Sequence, residues 1–205
     1  MNVDSFDPQI SEQNPKPAPG DPHGIPGAGI LGMRLLIASL SMLFLSSLMG
    51  YFVIRSRSAA WPPAGMPPMP KGLWISTIVI LISSGTVQWG LRSARLNRQS
   101  ALRQAMTATT GLGVLFLIVQ GVNWYALLSA GITAAVNLYA FLFYLLTALH
   151  AAHVVGGLVL LFTVTARAYR GVYSADFHPG VIYSAMYWHF LDAVWVIVFV
   201  VLVWI

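Results

Sequence analysis

Five uninterrupted apolar stretches limit how this 205-residue chain can fold. Each is long enough to cross a bilayer core of roughly 30 Å, which takes about 20 apolar residues in a helix, and none carries a lysine or arginine at its centre. Spanning strands would be about ten residues long and would alternate apolar with polar side chains. We therefore predict an all-α integral membrane bundle with five transmembrane helices, near residues 33–54, 73–91, 105–130, 138–166 and 179–205.

The composition agrees with a membrane protein. Hydrophobic residues make up 57% of the chain and charged residues 8%, against about 25% charged residues in soluble domains. The chain has no cysteine, which excludes disulfides and thiolate-ligated metals. A net charge of +5 would suggest nucleic acid in a soluble protein, but here the basic residues lie in short loops between apolar stretches. They indicate membrane topology, and we expect no nucleic-acid partner.

The first 29 residues differ from the rest in being acidic and rich in proline. Proline prevents regular secondary structure, and a segment with few apolar residues cannot form a core. The start of the chain also lacks the basic residues and apolar run that mark a secretory signal peptide. We therefore predict a flexible N-terminal tail over residues 1–29, retained on the protein, followed by a membrane domain over residues 30–205.

Basic residues are distributed unequally between the two sides of the predicted bundle. On the side of the N-terminus lie Lys16, Arg34, Arg92, Arg95, Arg98, Arg103, Arg167 and Arg170. On the other side lie Arg55, Arg57 and Lys71. Because short loops rich in lysine and arginine stay in the cytoplasm, we predict a cytoplasmic N-terminus and, with five spans, a C-terminus on the outside.

Six polar side chains stand out inside the last three spans: Gln120, Asn123, His150, His153, His189 and Asp192. Asp192 is the only carboxylate in any predicted span, and an ionisable group there is expected to face the bundle interior with a partner or a function. His189 lies three residues earlier on the same face, where it could hydrogen-bond Asp192 or contact a neighbouring helix. The favoured interpretation is a structural cluster of hydrogen-bonded polar residues.

A metal or haem site is the alternative interpretation of these histidines. His150 and His153 lie one turn apart, His189 could approach from the next span, and three histidines can hold zinc or iron. However, two histidines one turn apart cannot both be axial ligands of one haem, and no further histidine within the spans can pair with the third. We therefore expect no catalytic, cofactor or metal site in this chain, while a stand-alone membrane haem or metal protein remains the alternative of a different class.

Four segments carry a resemblance to a known family: YWHFLDAVW at 187–195, TALHAAHVVGG at 147–157, LWISTIVILISSGTVQW at 73–89 and WPP at 61–63. Together they resemble subunit III of the haem-copper terminal oxidases of the cytochrome c oxidase type. The likeness runs from about Leu31 to the end of the chain. The order, the spacing and the number of spans are similar to the short five-helix bacterial form of that family.

The resemblance implies a non-catalytic subunit of a proton-pumping complex that reduces dioxygen in aerobic respiratory electron transport. Haem and copper would belong to partner subunit I, with subunit II a candidate for further copper, and this chain would stabilise subunit I and support its proton uptake. Phospholipids would bind in a cleft between the first two spans and the other three. Arg55, Arg57 and Trp61 are candidate lipid contacts. The implied location is the bacterial cytoplasmic membrane.

Two positions depart from the family pattern. Leu40 stands where the pattern has a glutamate in span one, and Asn123 stands where it has one in span three. Within the resemblance, an accessory subunit of a nitric oxide reductase and subunit III of a quinol oxidase stay open as alternatives. A small transporter built from inverted repeats is not supported, because the sequence contains no internal repeat.

Overall fold

The computed structural model describes residues 27–66 and 69–204, and all regular structure in these ranges is helical. Five helices are long and apolar enough to cross a membrane: α1 Ala28–Ser56, α2 Gly72–Arg95, α3 Gln99–Ser129, α4 Leu138–Tyr169 and α5 Pro179–Trp204. The predicted all-α membrane bundle of five spans is therefore confirmed. Most of the predicted tail, residues 1–26, lies outside the described ranges, and its last two residues already belong to α1.

The helices extend beyond the predicted spans mainly at the end where α2 meets α3. The second helix ends at Arg95 and the third begins at Gln99, so their basic and polar ends are helical as well. Asn97, with φ of 53°, makes the tight turn between them. An apolar stretch marks only the part of a helix inside hydrocarbon, whereas backbone hydrogen bonding continues into the polar interface.

Helices α2 to α5 form a closed ring in chain order. Each contacts the next, and α5 returns to contact α2, while no Cα atoms of the diagonal pairs α2–α4 and α3–α5 come within 8 Å. This is the arrangement of an up-down four-helix bundle, which short connections between successive spans favour. The remaining helix, α1, lies outside the ring against α4 and α5.

Small residues on α2 explain why it belongs to the ring. Gly90 leaves room for the methyl end of Met106 on α3, and an added Cβ at Gly90 would collide with it. The hydroxyls of Thr77 and Ser83 face α5 and accept hydrogen bonds from two of its tryptophans. Close helix approach in a membrane depends on such small and hydroxylated residues, because apolar side chains gain little by leaving lipid for another helix.

Helix α1 buries only one narrow stripe, Phe44, Leu48 and Tyr51, at the spacing of successive helical turns. The predicted cleft between the first two spans and the other three is wrong. Helix α2 packs against α3 and α5, so α1 is the one helix of the five that lies outside the ring. An apolar groove of about 290 Å³ lies between α1 and α5 instead, lined by Ser41, Phe44, Leu45, Leu48, Phe190, Ala193, Val194 and Ile197.

Candidate functional site

Two tryptophans of α5 lie at the centre of the helical ring. Trp188 and Trp195 are seven residues apart, so two turns of helix place them on the same face. Trp188 Nε1 donates a 2.9 Å hydrogen bond to Ser83 Oγ, and Trp195 Nε1 donates a 3.0 Å bond to Thr77 Oγ1. All four residues are buried. The indoles of the WHFLDAVW segment therefore join α5 to α2 with directional bonds in addition to filling the core.

The space for Trp188 is made by glycines on the two other helices of the ring. A Cβ added to Gly113 of α3 would come within 2.6 Å of the Trp188 ring and 2.9 Å of Leu158. A Cβ added to Gly157 of α4 would come within 3.1 Å of the same tryptophan. The bulky indole thus meets the two backbones where no side chain intervenes.

His150 lies in an aromatic enclosure made by three other helices. It is 0% exposed, and its ring centroid is 5.0 Å from that of Trp195, 5.6 Å from Phe116 and 6.3 Å from Phe44. Neither ring nitrogen has a hydrogen-bond partner among the described residues. His150 therefore contacts the core through its ring faces and edges.

His153 has different surroundings from His150, although one turn separates them. Its Nδ1 lies 2.7 Å from the carbonyl oxygen of Leu149 in its own helix, and its ring is 5.2 Å from that of Phe44. This contact with Phe44 helps attach α1 to the ring.

The two amides of α3 are both buried. Gln120 has no hydrogen-bond partner for either amide atom among the described residues, and the Nδ2 of Asn123 also lacks one. The side chain of Asn123 faces the first residue of α2, Gly72, where an added Cβ would collide with its oxygen. Asn123 therefore lies where α3 passes the start of α2.

His189 and Asp192 are neighbours on α5, but the histidine bonds mainly to α2. His189 Nδ1 is 2.9 Å from Ser84 Oγ, and Nε2 is 3.3 Å from Gln88 Oε1. The distance from Nδ1 to Asp192 Oδ2 is 3.9 Å. Neither carboxylate oxygen makes a hydrogen bond of ordinary geometry within the described ranges, although Ser84 lies close by. With Nε2 protonated, the histidine donates to Gln88 and accepts from Ser84.

The six predicted polar residues thus occupy different surroundings in the bundle. In the part of the chain that the structure describes, no three histidine, aspartate or glutamate side chains are placed together as a metal site would require. The partners that sequence reasoning missed are Thr77, Ser83, Ser84 and Gln88, all on α2. The only sign of these partners in the sequence was a run of small polar residues in an otherwise apolar span. Each lies more than 100 residues from the α5 residue that it bonds, so no local pattern could pair the two.

The predicted lipid contacts cluster where α1 ends. Arg55 is partly buried in the last turn, and Arg57 is exposed at the C-cap. Trp61 turns inward: its Nε1 donates a 2.9 Å hydrogen bond to the Tyr51 hydroxyl, and its ring lies 5.0 Å from that of Tyr139. The tryptophan therefore helps hold the connection after α1 against the bundle, and lipid contact at these three residues stays a prediction.

Comparison with known proteins places these features in a family. The model of the family "Cytochrome c oxidase subunit III" matches residues 25–205. The chain is 34% identical to cytochrome c oxidase subunit 3 of Synechocystis sp., over 93% of this chain and 82% of that protein. It is 30% identical to cytochrome c oxidase subunit 3 of Thermostichus vulcanus, over 88% and 89%. It is 31% identical to the probable cytochrome c oxidase subunit 3 of Mycobacterium leprae, over 85% and 87%. The chain, a multi-pass membrane protein, belongs to the cytochrome c oxidase subunit III family.

Proposed function

We propose that this chain is the non-catalytic subunit III of a proton-pumping cytochrome c oxidase. The family match, which covers the whole membrane domain, is the observation that carries the proposal. The relatives described above are all named for cytochrome c oxidase, which favours this function over a nitric oxide reductase or a quinol oxidase. The interior supports a structural role, because its polar groups mostly face other helices and aromatic rings.

In this function the chain binds to subunit I, which carries haem and copper, and belongs to a complex that includes subunit II. It stabilises subunit I and supports proton uptake there, in the bacterial cytoplasmic membrane. With Leu40 and Asn123 at the positions of the family glutamates, this support does not pass through carboxylates there. Arg55 and Arg57 at the end of α1 suit phospholipid phosphates electrostatically.

The test is purification of the native complex through a tag on this chain. We expect haem absorption in the purified material and oxygen consumption driven by reduced cytochrome c. In a strain lacking this chain, the remaining oxidase should lose activity faster during turnover. Activity with quinol alone, or reduction of nitric oxide in place of dioxygen, would assign the chain to one of the alternative complexes. A Soret band retained by the separated single chain would show that it binds haem itself.

We further propose that His150 and His153 serve only for helix contacts. Replacing both with glutamine should leave the haem and copper content per assembled complex unchanged, even if fewer complexes assemble, because neither histidine would be a metal ligand. Metal analysis and haem extraction on purified complexes measure this ratio. The loss of one haem or copper equivalent per complex would disprove the proposal.

A further inference from the structure

The outer surface of α2 and α5 carries a polar patch within the predicted membrane spans. We call it the α2/α5 polar face and define it by Ser84, Gly85, Gln88 and His189. Gln88 is exposed, and the side chain of His189 is 39% exposed. Both lie within the apolar spans predicted at 73–91 and 179–205, with Gln88 one helical turn before Arg92. Hydrocarbon would therefore surround these groups if nothing covered them.

Other exposed polar side chains in the spans satisfy themselves locally. The hydroxyls of Ser39, Ser46 and Thr163 each donate to a carbonyl oxygen in their own helix. Gln88 differs from these residues. Its amide nitrogen carries two N–H groups and donates no hydrogen bond among the described residues. Its amide oxygen has one partner, Nε2 of His189 at 3.3 Å. An amide and an imidazole facing lipid are costly, and such groups are normally turned toward protein.

Behind this surface lies a buried group that also lacks partners. Asp192 is buried beside His189, and both of its carboxylate oxygens are without a hydrogen bond of ordinary geometry in the described ranges. A helix packed over His189 and Gln88 would exclude lipid from this arrangement, and an acceptor on that helix would satisfy the N–H groups of the Gln88 amide, which lipid cannot do.

The shape of the face suits another helix. Gly85 is exposed, and a Cβ added there would meet nothing within 4 Å. On the same side of α2, Ile82 and Trp89 are exposed to either side of it. A glycine between larger side chains forms a notch, which is the feature that lets a second transmembrane helix approach closely.

We propose that the α2/α5 polar face is the docking surface for a transmembrane helix of a different subunit, one that brings a hydrogen-bond acceptor to the amide nitrogen of Gln88 and packs into the notch at Gly85. The inference rests on the proposed function only in that the partner is another subunit of the oxidase. It adds the surface used and the chemistry of the helix that binds there.

Photocross-linking in the native membrane tests the surface. A benzophenone amino acid is placed at Gly85 in one variant and at Gly111 of α3 in the other; both glycines are exposed with open space around an added Cβ. We expect an adduct from position 85 with a polypeptide of the complex that co-purifies with this chain, and none from position 111. No adduct at position 85, an adduct with a second copy of this chain, or equal adducts from both positions would overturn the proposal.

A pair of substitutions measures the strength of docking. Gly85→Leu should reduce the oxidase polypeptides that co-purify with the tagged chain several-fold, whereas Gly111→Leu should not. The isolated variants should unfold at similar temperatures, since a Cβ added at either position meets nothing within 4 Å. Equal recovery with both variants would refute the proposed surface. Haem absorption of the wild-type preparation tests the proposed function separately, because a cross-link at position 85 identifies the docking surface whatever the partner's cofactors.

Discussion

The two hydrogen bonds from the tryptophans of α5 to hydroxyls of α2 are buried, and each joins one donor to one acceptor. The contribution of each bond to stability can therefore be measured by substitution. Ser83 and Thr77 each accept from one indole. Removing the acceptor leaves a buried N–H without a partner, which is more costly than losing the bond alone.

A double-mutant cycle on Ser83 and Trp188 should detect their coupling. We expect Ser83→Ala to destabilise the bundle by about 1–3 kcal/mol, because the indole N–H is left unpaired. Trp188→Phe should cost more, since it also empties core volume, and the coupling between the two changes should be about 0.5–1.5 kcal/mol. Unfolding in mixed micelles measures each variant. Ser39→Ala is the control, since that hydroxyl bonds its own helix at an exposed position; zero coupling would contradict the assigned bond.

Tyr173, in the loop between α4 and α5, should make stability depend on alkaline pH. Burial raises the pKa of its phenol above 10, against the opposing effect of nearby Arg167. The folded state therefore prefers the neutral phenol, so its stability is complete below the unfolded pKa of about 10 and falls as the pH rises above it. Tyr173→Phe should flatten this decline.

The same substitution should be neutral or stabilising at pH 7, because the hydroxyl of Tyr173 is buried without a hydrogen bond of ordinary geometry in the described ranges. Thermal unfolding in detergent from pH 7 to 11 tests both expectations. Tyr125→Phe is the control at an exposed tyrosine. Parallel curves for wild type and Tyr173→Phe above pH 10 would count against a role for this phenol.

At the scale of helices, glycine positions decide which faces meet. The sequence contains two glycine pairs in its spans, Gly111 with Gly113 and Gly156 with Gly157. Only one member of each pair touches the Trp188 ring, Gly113 from α3 and Gly157 from α4. The other glycine of each pair, Gly111 or Gly156, lies on a different face of its helix, because residues one or two positions apart face different directions.

Alanine at the two glycines of α3 should have opposite effects. Gly113→Ala places a Cβ within 2.6 Å of Trp188, so we expect overpacking to destabilise the bundle by about 1–3 kcal/mol. Gly111→Ala meets nothing within 4 Å and should be neutral or stabilising by up to about 1 kcal/mol, as alanine restricts the unfolded chain. Unfolding of the two variants side by side measures the difference. Equal stability would mean that Trp188 does not lie against α3 as described.

At the scale of the whole molecule, most of the basic residues of the helices and their connections lie at one end of the bundle. Gln99 Nε2 donates a 2.7 Å hydrogen bond to the Tyr173 carbonyl oxygen, and Arg103 Nε donates to that of Ala168. These bonds join the start of α3 to the end of α4 and to the α4–α5 loop, so the arginines of both connections share one side. The start of α1 lies there too, since Gly29 is close to Tyr183 near the start of α5.

We expect that side to face the cytoplasm, by the positive-inside rule. A protease-cleavable tag at Asn2 should be protected in intact spheroplasts and cut after lysis, whereas a tag after Ile205 should be cut in both. Gel mobility of the tagged chain reports cleavage. Cutting at Asn2 in intact spheroplasts would reverse the orientation and place the arginines of the α2–α3 turn outside.

The number and the approximate position of the spans could be predicted from the sequence alone, because the bilayer imposes a length of apolar residues that is a local property of each segment. The motif around Trp188 and the family resemblance could also be recognised in the sequence alone. The tertiary structure alone decided that α1 stands outside the ring, that His189 bonds to Ser84 and Gln88, and that Gly113 rather than Gly111 receives the indole. These features depend on how each helix is rotated against its neighbours. That rotation is set by the fit of large side chains against small ones contributed by other helices, often 100 residues away in the chain, and no local pattern contains it.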